Sequence, residues 1–204
     1  MTRLMSCLPD ADCGLCPRLS AFRAKNRKSF PDKFNAPVPP FGPADAKLLI
    51  VGLAPGLRGA NFTGRPFTGD WAGDLLYATL LKFGFAKGTY DERPDDGLRL
   101  VDARITNAVR CVPPENKPTP QEISTCRSFL DAEIAALAKL RVILSLGKIS
   151  HDAVAVSGGV AKALVDRAKQ VRKRCGGRQP RELRACIGVH ERAAFAGLQN
   201  VGMV

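Results

Sequence analysis

The chain has 204 residues, 45% of them hydrophobic, and a mean hydropathy of −0.08. That suffices for one domain with a sizeable core, and no apolar run approaches the roughly 20 residues of a membrane span. The formal charge of +12 points to a polyanion, either nucleic acid or an anionic membrane surface. The charge is uneven: from residue 158 onward ten Lys/Arg face only Asp166, Glu182 and Glu191.

The start, MTRLMSCLPDADCGLC, has no signal-peptide h-region, so a cytoplasmic protein is expected. Residues 1–46 hold Cys7, the pair Cys13-Gly-Leu-Cys16, a basic helical stretch over 18–28, and a connector with Pro37, Pro39, Pro40 and Pro43. Proline at that density excludes helix and central strand, so the connector is extended. Residues 47–53 (KLLIVGL) read as a buried parallel strand. It ends in a loop rich in Gly, Pro, Thr and Asn, and residues 70–83 fit a helix that Gly84 stops.

A polar loop over 90–97 precedes a second strand, 98–109 (LRLVDARITNAV). Thr119-Pro120-Gln121-Glu122 is a helix start, with Thr as cap, Pro in the first turn and Glu122 closing a capping box. That helix is expected to run to about residue 139. A third strand over 142–146 and a helix over 148–156 follow. After Val156 the pattern changes: 158–204 is an atypical basic tail, with one further short strand over 185–189 (ACIGV). Strands alternating with helices predict one α/β domain, three-layered, around a mainly parallel sheet of about four strands.

Seven cysteines without a signal peptide favour metal or catalysis over disulfides. Cys13 and Cys16 form a C-x2-C pair, and fourteen residues separate Cys111 from Cys126. Zinc, an iron–sulfur cluster and no metal all remain open on spacing. The wide second pair lacks the knuckle spacing of structural zinc sites, and four thiolates suffice for a cubane. The glycine-rich loop matches neither G-x-x-x-x-G-K-[ST] nor G-x-G-x-x-G, which argues against a nucleotide cofactor.

GLAPG, then GANFTGRPFTGDWAGDLL, then TNAVRCVPPENKPTP, with Cys-x2-Cys upstream and Cys126 downstream, resembles the iron–sulfur uracil-DNA glycosylases. The longer GANxTGRxFTGD segment is most similar to their family 5 (B-type) members. The resemblance covers residues 13–156. It implies a uracil-DNA glycosylase-like fold and a [4Fe-4S] cluster on Cys13, Cys16, Cys111 and Cys126. It implies a monomer whose partner is DNA containing uracil or other deaminated bases, and hydrolysis of the N-glycosidic bond to leave an abasic site. No catalytic amine is identifiable, so no lyase step is implied.

By the same resemblance Phe67 stacks on the flipped uracil and Asn107 reads its edge, an amide being both donor and acceptor. Gly52, Leu53 and Ala54 contact the substrate through the turn after the first strand. The GxxP neighbourhood, Gly52-Leu53-Ala54-Pro55, carries no polar side chain. Asp70 is therefore the candidate to position water or stabilise the sugar cation, although a helix N-cap would equally suit an Asp there.

Two departures stand out. The family's C-terminal His-Pro-Ser segment is not found: His190 follows an apolar run as that His should, but Glu191-Arg192 replaces Pro-Ser. His190 is carried as a catalytic candidate, and His151 reads as structural. Phe62 stands where related sequences tend to carry a basic residue, which weakens a phosphate contact. The lost motif keeps a second reading in view, a non-catalytic DNA-binding relative. A zinc-stapled nucleic-acid-binding protein is a third.

Overall fold

Residues 48–52 alternate their side chains between two faces, and neither face meets water. This strand, β1 (Leu48–Gly52), is buried at every position, as expected of a continuous apolar run flanked by parallel partners. The structure, a computed structural model, describes residues 8–157. These lie within one compact unit. Among the described residues no helix is long and apolar enough to cross a membrane.

In chain order the elements are α1 (Pro17–Ser29), β1, α2 (Ala60–Thr63), α3 (Trp71–Lys82), β2 (Ala86–Lys87), β3 (Arg99–Leu100), β4 (Ala103–Asn107), a 3-10 turn (Pro114–Asn116), α4 (Pro120–Ala136), β5 (Val142–Ser145) and α5 (Lys148–Ala155). The main sheet has the order β4-β1-β5, all parallel, with Gly52 opposite Asn107 and Leu48 opposite Val142. Leu48 and Ile50 pack with Tyr77 and Leu80 of α3 on one face. Leu49 and Val51 pack with Leu130 and Ile134 of α4 and with Ala153 and Val154 of α5 on the other. The layers are helix, sheet, helix, as the alternation of elements predicts.

The sheet has three strands among the described residues, against about four expected; the remaining predicted strand, 185–189, lies outside them. The strand expected over 98–109 is two strands. Asp102 adopts a left-handed φ of 55°, which bends the chain and lets its carbonyl accept from the amides of Lys47 and Leu48. β3, before the bend, pairs antiparallel with β2 in a separate ribbon, and only β4 joins the main sheet. The proline connector is extended, and Phe41 forms an antiparallel bridge to Ile105 along the outer edge of β4.

Helix ends follow local chemistry. The capping box at α4 is complete: Glu122 N donates to Thr119 Oγ1 and Thr119 N donates to Glu122 Oε2. Glu122 also accepts from Arg18 at 2.7 and 2.8 Å, so the same carboxylate ties α1 to the start of α4. α4 stops at Ala136, three residues short of the expected 139.

A charged network crosses the interior. Glu133 of α4, fully buried, accepts from Arg104 of β4 and from Arg110 just beyond it, each at 2.6 Å. Burial pushes the Glu133 carboxyl up, but the Arg110 and Arg104 guanidiniums outweigh it and hold it below its ordinary value. Stability from such a group is complete above the unfolded value, about 4.3, and is lost as pH falls toward the folded one. Glu133→Gln is therefore expected to flatten the fall in melting temperature below about pH 4.3. Glu133→Ala, leaving two buried guanidiniums without their carboxylate, is expected to cost about 3–5 kcal/mol at neutral pH in urea unfolding.

Candidate active site

The connection after β1 leads to α3 on one face of the sheet, and the connection after β4 leads to α4 on the other. Adjacent parallel strands whose following loops part in this way open a crevice at their carboxyl ends, where ligands bind in open α/β sheets. Gly52 and Asn107, the last residues of those strands, are register partners at the crevice.

What the crevice holds is set by the missing side chain of Gly52. A Cβ there would stand 2.5 Å from Asn107 Oδ1 and 2.5 Å from Phe67 Cζ. The Phe67 ring and the Asn107 amide thus converge on one bare stretch of backbone. Asn107 is 3% exposed, yet its side chain makes no hydrogen bond among the described residues. Phe67 is half-buried and has φ 54°, a conformation that an L residue holds only when its surroundings impose it.

Asp70 divides its carboxylate. Its Oδ1 accepts from Gly73 N at 2.8 Å and caps α3. Its Oδ2 faces the turn after β1, 3.1 Å from where a Gly59 Cβ would stand and 3.8 Å from a Gly56 one. Cap and free oxygen coexist in one side chain. Leu53 is half-buried, and its carbonyl accepts from Val109 N at 3.0 Å. Ala54 packs against the apolar cluster of Leu19, Val109 and Cys126, so only its backbone is left to face a ligand. His151 is exposed on α5. His190 lies outside the described residues.

The loop that carries Phe67 rests on a buried ion pair that sequence reasoning missed. Arg65 donates to both oxygens of Asp96, at 2.8 and 2.7 Å, with the two side chains 3% and 1% exposed. The Arg65 hydrogen bonds hold the Asp96 carboxyl well below the usual carboxylate range. Burial pushes the neighbouring Tyr90 phenol up to about 12. Nothing in GRPF or in the polar 90–97 loop signals that an Arg and an Asp 31 positions apart would meet inside the fold.

The cysteines form a second centre behind the crevice. Cys13, Cys16, Cys111 and Cys126 line one recess with Leu19, Arg23 and Arg110, holding about 320 Å³ of space including its open mouth. Arg23 Nη1 donates to Cys111 Sγ at 3.5 Å and Arg110 N donates to Cys126 Sγ at 3.3 Å. Burial pushes the Cys111 thiol up to about 11 and also raises Cys16 and Cys126. Free thiols so placed are protonated at neutral pH, which argues against a reactive nucleophile. Among the described residues no group of three or more His, Cys, Asp or Glu is arranged to hold a metal ion.

A family model described as the uracil DNA glycosylase superfamily matches residues 39–188. The chain belongs to that superfamily. It is 42% identical to the type-5 uracil-DNA glycosylase of Thermus thermophilus over 156 residues, 74% of this chain and 71% of that protein. It is 37% identical to the type-5 uracil-DNA glycosylase of Pyrobaculum aerophilum over 70% of this chain and 65% of the relative. It is 44% identical to the type-5 uracil-DNA glycosylase of Mycobacterium tuberculosis over 66% of this chain and 53% of the relative. The chain thus spans between about half and seven tenths of these relatives. In this uracil-DNA glycosylase superfamily member the resemblance read from GLAPG, GRPFTGD and TNAVRC stands, and the matched region runs past Val156, where the sequence pattern changes.

The crevice yields a sharp prediction. Gly52→Ala is expected to fold but to displace Phe67 and Asn107. Excision from a uracil-containing duplex is expected to fall about 100-fold or more, the cost of misplacing binding groups by an ångström.

Proposed function

We propose that this chain hydrolyses the N-glycosidic bond of uracil in DNA, leaving an abasic site, as the names of its type-5 relatives suggest. One observation carries the reading: an aromatic face and an amide without a partner among the described residues converge on side-chain-free backbone at the crevice. A base turned out of the duplex stacks on Phe67, a contact worth about 1–3 kcal/mol. Asn107 offers both a donor and an acceptor to the pyrimidine edge. Any side chain larger than that of Gly52 would run into the Phe67 ring and the Asn107 amide and push both from their places.

In the reaction the C1′–N1 bond breaks and its electron pair leaves with the base. The Asn107 amide and the backbone N–H groups of the turn after β1 face the developing negative charge. Asp70 Oδ2, beside Gly56 and Gly59 and without a partner among the described residues, stabilises the sugar cation or orients the water that adds to C1′ and accepts its proton. The carboxylate does this while Oδ1 stays on Gly73 N, so its position is fixed by the start of α3.

We further infer that Cys13, Cys16, Cys111 and Cys126 hold a [4Fe-4S] cluster. Four thiols lining one recess, two of them receiving N–H donors, supply the four thiolates that a cubane needs, and the wide Cys111–Cys126 spacing lacks the knuckle of structural zinc sites. When bound, the cluster supplies a covalent staple between the N-terminal segment and the 111–126 region. No chemical step requires it.

The activity is tested on duplexes carrying a single uracil, hypoxanthine or xanthine, followed by hot alkali. Strand scission at the uracil is expected, and cleavage at the other two would extend the substrate class to deaminated bases generally. Asp70→Asn should lower the single-turnover rate about 100-fold or more while DNA binding persists, because only the transition-state contact is removed. Binding without scission by the unaltered protein would instead mark a non-catalytic DNA-binding relative. For the cofactor, the protein purified without oxygen is expected to be brown and to contain iron and acid-labile sulfide. Cys126→Ser should lose the colour and melt lower, whereas zinc alone in the native protein would overturn the cluster.

A further inference from the structure

We propose that the Arg65–Asp96 ion pair aims the Phe67 ring into the base pocket, so that both are positioning residues of the reaction proposed above, on which this inference rests. Arg65 lies two positions before Phe67, and its guanidinium is fixed on every side. Nη1 and Nη2 fork onto Asp96, and Nε donates to Thr68 Oγ1 at 2.8 Å, so the pair grips the loop on both sides of Phe67. The flat face of the guanidinium lies 5.2, 5.3 and 5.6 Å from the ring centres of Tyr77, Phe41 and Tyr90.

Those tyrosines carry the constraint onward to the backbone. Tyr77 and Tyr90 stack at 4.5 Å; Tyr77 OH donates to Pro66 O at 2.7 Å and Tyr90 OH to Phe67 O at 3.4 Å. A Cβ at Gly73 would stand 1.9 Å from Phe67 O and 3.2 Å from Tyr90 OH, so α3 abuts the same carbonyl beside the tyrosine. Asp96 is anchored in turn, accepting from Asp91 N at 2.9 Å and Leu98 N at 3.0 Å. The left-handed φ of Phe67 is therefore imposed by contacts that converge on residues 65–68 from β4's edge, α3 and the 90–97 loop. A buried ion pair is a poor device for stability alone, since apolar residues of equal volume often do as well. What it adds is a fixed direction, through two parallel hydrogen bonds that tolerate little rotation. Here that direction is handed to the Phe67 ring at Gly52.

A double-mutant cycle between Asp96→Asn and Phe67→Leu tests this, read by single-turnover excision and by the inhibition constant of free uracil. Asp96→Asn is expected to slow excision about 10–100-fold and to raise the uracil inhibition constant in parallel, but to add little once Phe67 is already Leu. Equal losses in both Phe67 backgrounds, or an unchanged uracil inhibition constant in the folded variant, would overturn the proposal. Loss of folded protein lowers reaction amplitude but leaves that constant unmoved. Should Asp96→Asn fail to fold, Tyr90→Phe keeps the ion pair and the ring while deleting the bond to Phe67 O. The same non-additivity with Phe67→Leu is then expected, and strict additivity would overturn the inference. If the unaltered protein leaves uracil in place, the reading of activity fails. Titration with free uracil then still decides whether Asp96 places Phe67.

Discussion

β1 is buried on both faces and hydrogen-bonded on both edges, so each of its five residues is committed to a neighbour. Its even positions anchor the α3 side and its odd positions the α4–α5 side, and no shift of register is possible without turning the core inside out. Because β4 and β5 are read off β1, the pairing of Gly52 with Asn107 is a consequence of core packing rather than of anything in the crevice. The strand that holds the domain together also brings its functional ends side by side.

Charge inside the fold supports that arrangement from beneath. The Arg104–Glu133–Arg110 network braces β4 and the segment after it against α4, on either side of Asn107. The Arg65–Asp96 pair braces the loop that delivers Phe67. Arg110 contributes twice, since its backbone amide also meets Cys126 Sγ. The cysteine recess and the crevice are thus joined through one short segment, 107–111, and Ala54 touches the same cluster from the turn after β1. A staple at the cysteines would stiffen both walls of the crevice at their roots, far from the reacting atoms.

The positions of polar groups separate structural from chemical roles. Glu122 and Thr119 close the capping box at the start of α4, and Arg18 spends two hydrogen bonds on the Glu122 carboxylate. Asn107 and Asp70 Oδ2 differ, being polar atoms at a crevice without partners among the described residues. Polar atoms so placed are available to a ligand or to water, which is the reason they are proposed to act in the site.

Much of this was legible in the chain itself. The apolar run of β1, the capping box at α4 and the proline connector are local patterns with local causes, and each appears where the residues require it. The family resemblance carried by GLAPG, GRPFTGD, TNAVRC and the cysteines pointed to Phe67, Asp70, Asn107 and the four thiols as candidates. The sequence could not show that residues 98–109 bend at Asp102, because the left-handed turn there is stabilised by amides of β1, more than fifty positions away. Nor could it pair Arg65 with Asp96, or aim Arg23 at Cys111, since both contacts exist only after the layers close. Local propensity and motif order determined which residues matter. Tertiary packing alone decided that Gly52, Phe67 and Asn107 share one space, because only the register of two parallel strands and a loop forced through positive φ bring them there.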